Sequence, residues 1–369
     1  VTDFAVDGSA TVYRQYDVGY AIDLERVSEA LGTSTRGRAR PARLEAQALQ
    51  IRNPPLVVEL GERDVVVADQ SYRASLSARV FDFGVCSLQL RVVAPPLLGW
   101  TRFAEFGRGV DDAREITQGL DREMGSLLAR MGTAVVRPAI APLSEEYVVF
   151  RIDRLAADGA HASASELLTD QRLAPLLLGE RRSLSQSALH ELLPHRFSYY
   201  ADDLTVLSWD NALIVEPRSD DRDVEYILEF ANAQLLELRL YDAHLDAELP
   251  ALYERVAAAR GRRIPPLTGR FRTVLADLHA RVADITEIVE RVENALKVTN
   301  DVYLARIYAA SLELFRERSW RRGIERKLEI LRETYTMLHT EAQSTRLELL
   351  ELSIVLLIIF EIVLSFLRP

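Results

Sequence analysis

The chain has 369 residues, 48% hydrophobic and 27% charged, a globular composition that excludes a disordered chain and leaves room for a folded domain plus an extended helical part. Its formal net charge of −10 opposes non-specific attraction to nucleic acid, so direct nucleic-acid binding is disfavoured. Cys86 is the only cysteine, which rules out an intrachain disulfide and a cysteine-based zinc site.

Of the 45 cationic side chains only Lys297 and Lys327 are lysines, a skew expected of GC-rich coding, so arginine clusters carry little functional weight. Residues 1–7 lack the basic end and apolar run of a signal peptide, and the bulk of the chain is expected to stay in the cytoplasm. Residues 11–21 are rich in valine and tyrosine and suit a strand. Asp23 then caps a helix over residues 24–31 that stops at Gly32. Arg36, Arg38, Arg40 and Arg43 follow among glycine and proline; they read as a solvated connector, with an anion-binding loop as the alternative.

Residues 56–60 and 64–68 flank Gly61-Glu62-Arg63 as a short hairpin, and residues 75–83 pair with 85–93 around Gly84, where Cys86 reads as a buried strand thiol. Pro95-Pro96 ends this sheet. An amphipathic helix over residues 111–131 uses Ile116, Leu120, Met124, Leu127 and Leu128. Residues 147–152 are another strand, and 166–178 and 185–193 are short helices, the second stopped by Pro194. Two apolar strands about Asp210-Asn211 form a last hairpin closed by Pro217.

From there the pattern is helical. Ser219 and Asp220 offer caps for a helix over residues 222–249 whose wide apolar face needs partners on two sides, and Pro250 breaks it. Leu275, Leu278, Val282, Ile285, Val289, Val292 and Leu296 recur at three-four spacing, the mark of a heptad helix. Residues 302–315 add a shorter helix and 316–323 read as a turn. A final helix over residues 324–366 carries a seam through Leu328, Leu331, Tyr335 and Leu338 to Leu356, Ile359, Val363 and Phe366.

Up to about Glu351 the other positions of that helix are charged, and beyond Leu352 they are apolar. The expected architecture is therefore α+β: a mostly antiparallel sheet with helices over residues 1–218, a helical region over 219–323, and a long coiled-coil-like stalk over 324–369. The stalk is expected to end in a single C-terminal transmembrane helix at about 352–367, anchoring the chain in the cell (inner) membrane with lipid as a partner. Sixteen residues reach about 24 Å, short of a hydrocarbon core of about 30 Å. Glu361 falls opposite the seam, and hydrogen bonding to a group such as Ser365 of another chain would place it inside a homo-oligomer. The stalk seam is expected to pair Val282, Ile285 and Val289 with Leu328, Leu331, Tyr335 and Leu338.

Residues 204–215, the run Phe230-Ala-Asn-Ala-Gln-Leu-Leu-Glu-Leu-Arg239, residues 281–296 and the acidic-interrupted apolar run 347–364 together resemble the "required for meiotic nuclear division" family, over roughly Tyr199 onward. That family is a domain of unknown molecular activity found in mitochondrial inner-membrane proteins and bacterial homologues. The resemblance implies a membrane-anchored, self-associating protein whose eukaryotic relatives support mitochondrial translation by tethering ribosomes. It brings no catalytic residues.

The sequence has no phosphate loop, Gly-x-Gly-x-x-Gly, Gly-x-Ser-x-Gly or His-Glu-x-x-His motif, so it is read as a non-enzyme without a cofactor. Asp242, His244, Asp246 and Glu248 share one helix and read as a solvated face before they read as a metal site; Asp220, Asp221 and Asp223 likewise read as helix-start charge before metal chemistry. The function expected is a membrane-anchored scaffold or tether with an unknown protein or ribosomal partner. The alternative is a cation channel or transporter subunit of the CorA type, although the Gly-Met-Asn motif of those channels is missing.

Overall fold

The computed structural model describes residues 4–32, 35–38, 50–51, 53–157, 160–167, 172–180, 182–218, 221–260, 296–297 and 302–367. Two compact units are distinguished: Val1–Glu237 with Arg291–Arg318, and Leu238–Glu290 with Ser319–Pro369.

The first unit is built on one sheet. Its main strands are β1 (Phe4–Asp17), β2 (Thr35–Arg38), β3 (Leu56–Val67), β4 (Gln70–Val80), β5 (Val85–Val93), β6 (Ser144–Ala157), β7 (His195–Phe197), β8 (Leu204–Leu207) and β9 (Asn211–Val215). They run in the order β7-β8-β9-β6-β1-β5-β4-β3-β2, with the short pieces Leu98–Gly99 and Ala160–His161 beside β1 and β6. Every pairing is antiparallel except β6 with β9, which is parallel.

Alternation makes the sheet two-faced. Val6, Ala10, Val12 and Tyr16 of β1 join a core with Ala74, Leu76 and Ala78 of β4 and Leu88, Leu90 and Val92 of β5. Helices α1 (Leu24–Leu31), α2 (Trp100–Asp111), α3 (Arg114–Met131) and α4 (Leu173–Leu177) bury Val27, Phe103, Leu120 and Leu176 against it. The other face carries Ser9, Thr11, Gln15, Arg79, Ser87, Gln89 and Arg151. Helix α6 (Asp223–Arg260) covers it, through bonds from Gln15, Arg79 and Gln89 to Glu229 and from Arg151 to Glu225. Helix α5 (Gln186–Leu192), capped by Ser185, and helix α7 (Val302–Leu314) complete the unit, where Tyr303 meets Tyr199 at 5.4 Å between ring centroids.

The expected cap at Asp23, which accepts from the backbone N–H groups of Glu25 and Arg26, is present, as are the Gly84 turn and the β8–β9 hairpin. Cys86 is buried, and burial pushes its thiol up to about 12. Four local readings are corrected. The 61–63 hairpin is one continuous strand, β3, carrying a bulge at Gly61 (φ 88°), and the chain reverses instead at Ala68 and Asp69, both left-handed. The helix expected from residue 111 begins at Arg114 as α3, and α2 precedes it over Trp100–Asp111, where no element was expected. Helix α6 continues through Pro250 to Arg260. The turn at 316–323 shrinks to Arg316 (φ 54°), after which α8 (Glu317–Leu367) begins at once.

The transmembrane expectation is also corrected. Among the described residues no helix is long and apolar enough to cross a membrane. Glu351 and Glu361 leave nine residues between them, about 14 Å of helix against about 30 Å of hydrocarbon. The single-pass anchor and the inner-membrane location fall with it.

Candidate functional site

The seam of α8 has two different environments. At its start Ile324, Leu328 and Leu331 are buried, in the same unit as the second half of α6. Lys327 Nζ lies 2.6 Å from both Asp242 Oδ1 and Asp246 Oδ1, and Arg239 sits over the Trp320 ring at 6.0 Å. Two of the three acidic residues weighed for a metal, Asp242 and Asp246, thus hold an ammonium, and among the described residues no group of His, Cys, Asp and Glu could hold a metal ion. Val282, Ile285 and Val289 lie outside the described residues, as do the side chains of Tyr335 and Leu338, so the pairing expected between the two seams falls outside the described residues as well.

At its far end α8 is uncovered. Leu352, Ile354, Val355, Leu356, Leu357, Ile358, Ile359, Phe360, Ile362 and Val363 each expose between 48% and 66% of their surface. At 100° per residue these positions go all the way round the helix, so the seam residues Leu356, Ile359 and Val363 are no better covered than their neighbours. Glu361 is exposed among them, and the side chain of Ser365 lies outside the described residues. Taking each such side chain fully out of water is worth about 1.5–3 kcal/mol. A helix apolar on every side is stable only when something surrounds it.

Between the sheet and α6 lies a buried charged layer. Arg151 is 1% exposed, and its five N–H donors meet five acceptors: Asp153 Oδ1 (2.6 Å), the carbonyls of Asp221 (2.8 Å), Glu216 (3.2 Å) and Arg218 (2.7 Å), and Glu225 Oε2 (3.2 Å). Glu225 also accepts from Arg222 Nη1 at 2.6 Å. Arg79 pairs with Glu229 and stacks over Tyr226 at 4.7 Å, while Gln89 Nε2 donates to Glu229 at 2.8 Å and Gln15 Nε2 to the Glu229 carbonyl at 2.7 Å. Burial lowers the pKa of Arg79 and Arg91, for Arg91 with help from Arg222, and burial with Glu225 raises that of Tyr13. With every donor of Arg151 committed, the layer fastens α6 and the 216–221 connection onto the sheet.

A family model for "Uncharacterized protein MJ0711, N-terminal domain" matches residues 7–221, more than half of the chain. The chain belongs to that family. It is 28% identical over 195 residues to the uncharacterized protein MJ0711 of Methanocaldococcus jannaschii, an alignment covering 52% of this chain and 58% of the relative. The match therefore spans less than two thirds of that relative's length. No solved structure matches. The family is one of unknown function, and the resemblance read from Tyr199 onward shares only residues 199–221 with the matched region.

The family domain thus contains the sheet and α1 to α5 and stops before α6, although α6 supplies the acids that neutralise its arginines. Arg79 and Arg151 were not singled out from sequence, because each alternates with apolar neighbours like a solvent-facing strand position. A signal was available in the acidic Glu225 and Glu229, four apart in a stretch where Val224, Tyr226, Ile227, Leu228 and Phe230 are apolar. The domain also has a cleft of about 440 Å³ between β3 to β5 and α3, floored by Leu76, Leu90, Ile116 and Leu120 and bridged by Arg63 to Glu123 at 3.0 Å. Arg36 and Arg38 lie in β2, while Arg40 and Arg43 fall outside the described residues.

Proposed function

We propose that the protein is a self-associating scaffold, in which the ends of α8 from several copies bundle together and present their family domains to a partner. The observation that carries this reading is the collar of ten apolar side chains around α8 between Leu352 and Val363. A second copy is the chosen occupant because the heptad spacing that starts at Ile324 continues through Leu356, Ile359 and Val363, and such spacing suits like helices. A two-stranded pair buries one stripe only. A helix apolar all round needs neighbours on several sides, which favours more than two copies.

Within such a bundle Glu361 faces a neighbouring chain, where its carboxylate accepts a hydrogen bond. The resemblance to the "required for meiotic nuclear division" family supports self-association and an unknown protein or ribosomal partner. The reading assigns no reaction. Its test is Ile359→Glu, which adds a charge to the seam: the full chain should sediment as a multimer and the variant as a smaller species. Equal sedimentation would count against the bundle, and failure of the multimer to co-sediment with ribosomes would remove the translation partner while leaving the bundle intact.

A further inference from the structure

On the face of the sheet covered by α6, Gln15, Ser87 and Arg79 stand side by side on β1, β5 and β4. The register pairs Gln15 with Ser87 and Ser87 with Arg79, and residues directly opposite each other on neighbouring strands project from the same face. Gln15 is 1% exposed and Ser87 is fully buried. Each of the three keeps one buried polar atom without a hydrogen-bond partner among the described residues: Gln15 Oε1, Ser87 Oγ and Arg79 Nε. Such atoms are rare in folded interiors, and three on adjacent positions in one row point to a common partner.

The rest of each group is already committed. Gln15 Nε2 must face the Glu229 carbonyl, which only accepts, and this fixes Oε1 as an acceptor on the other side of the amide. Arg79 uses Nη1 for the Glu229 carboxylate, leaving Nε as a pure donor; the second carboxylate oxygen takes Gln89 Nε2. The Ser87 hydroxyl can do either. A molecule that satisfies all three must therefore donate to Gln15 and accept from Arg79. A halide or any anion without an O–H or N–H cannot donate, and an ammonium-like cation cannot accept. Charge gives no preference for an ion, since Arg79 is balanced by Glu229.

We infer that this row is a binding site for one small neutral molecule that both donates and accepts, and the chemistry singles out water, held between β1, β4, β5 and α6. It would donate to Gln15 Oε1, accept from Arg79 Nε and exchange its remaining bond with Ser87 Oγ, within the three bonds usual for a buried water. Bound there, it would tie the three strands to Glu229 and so help to seat α6 on a polar sheet face.

The experiment is a crystal structure of the full chain grown in bromide. The expected result is a density peak without anomalous signal within about 3.2 Å of Gln15 Oε1, Ser87 Oγ and Arg79 Nε. A bromide anomalous peak at that place would overturn the inference in favour of an anion, and no peak, with the three side chains turned to pair with one another, would overturn it altogether. A second variant keeps the point testable in solution. Ser87→Val places a methyl group in the row and should reduce the number of long-lived internal waters seen by oxygen-17 relaxation dispersion by one relative to the parent; an unchanged number would contradict the site.

Discussion

Arg151 Nη1 donates to Glu225 Oε2 at 3.2 Å, which joins the middle of β6 to the first turn of α6 inside the protein. Both residues are buried, at 1% and 3% exposure, so neither charge can fall back on water when its partner is lost. Arg151→Met should therefore destabilise the chain by about 3–5 kcal/mol, because Glu225 and three carbonyls lose donors at once. Adding Glu225→Gln should recover part of that loss. Chemical denaturation checks both, and a single variant within about 0.5 kcal/mol of the parent would contradict the brace.

Asp17 sets a pH dependence. Burial raises its carboxyl from 3.8 to about 6, although the Gly19 N–H that it accepts, at 3.0 Å, opposes the rise. The folded state thus holds a proton that the unfolded chain has released. Its contribution to stability is fully present below pH 3.8 and is lost as pH rises through about 6. Asp17→Asn keeps an oxygen for Gly19 and removes the charge, so it should raise the melting temperature at pH 7.5 and change it little at pH 4. Equal effects at the two pH values would show that Asp17 is not the titrating group. Asp111, which burial also raises to about 6, adds to the same window in the parent.

Gly84 gives a backbone prediction. Its φ is 105°, and a Cβ there would lie 2.0 Å from the Gly19 carbonyl oxygen. The neighbouring chain closes on the turn through Val18, whose N–H donates to the Gly84 carbonyl at 2.9 Å. Gly84→Ala must force these segments apart and should cost several kcal/mol, counting both the left-handed strain and the clash. A melting temperature within a degree or two of the parent would mean that the close approach is not there.

What the sequence made legible follows the distance over which each feature acts. The Asp23 cap, the Gly84 turn and the hairpin around Asp210-Asn211 are settled by residues a few positions apart. Helix α2 was missed because Gly107 and Gly109 spoil a local helical preference. Gly107 is there for packing, since a Cβ would come within 2.7 Å of Leu176 and 3.0 Å of Phe150. The turn at Ala68-Asp69 lacks the glycine that usually marks two left-handed residues, so Gly61, which marks a bulge, took its place. The parallel pairing of β6 with β9 joins strands some sixty residues apart and leaves no local trace. The charged layer stayed hidden for the same reason: Arg79, Gln89 and Arg151 look solvent-facing until α6 brings Glu225 and Glu229 over them.

In α8 the periodicity was legible, and the exposed apolar collar matches the stretch where charges run out. The role first read there, a membrane span, does not survive the short interval between Glu351 and Glu361. Burial among like helices meets the same hydrophobic need over a shorter length, because it requires neighbours and no fixed thickness.

Sedimentation equilibrium of the full chain beside a version ending at Glu351 tests that claim most directly. The account predicts that the full chain has an integral multiple of the single-chain mass, while the shortened chain, lacking the collar, sediments at or close to the mass of one chain and keeps the same far-ultraviolet spectrum per residue in its α+β unit. A full chain that stays monomeric at micromolar concentration, or a shortened chain that assembles as the full one does, would contradict it.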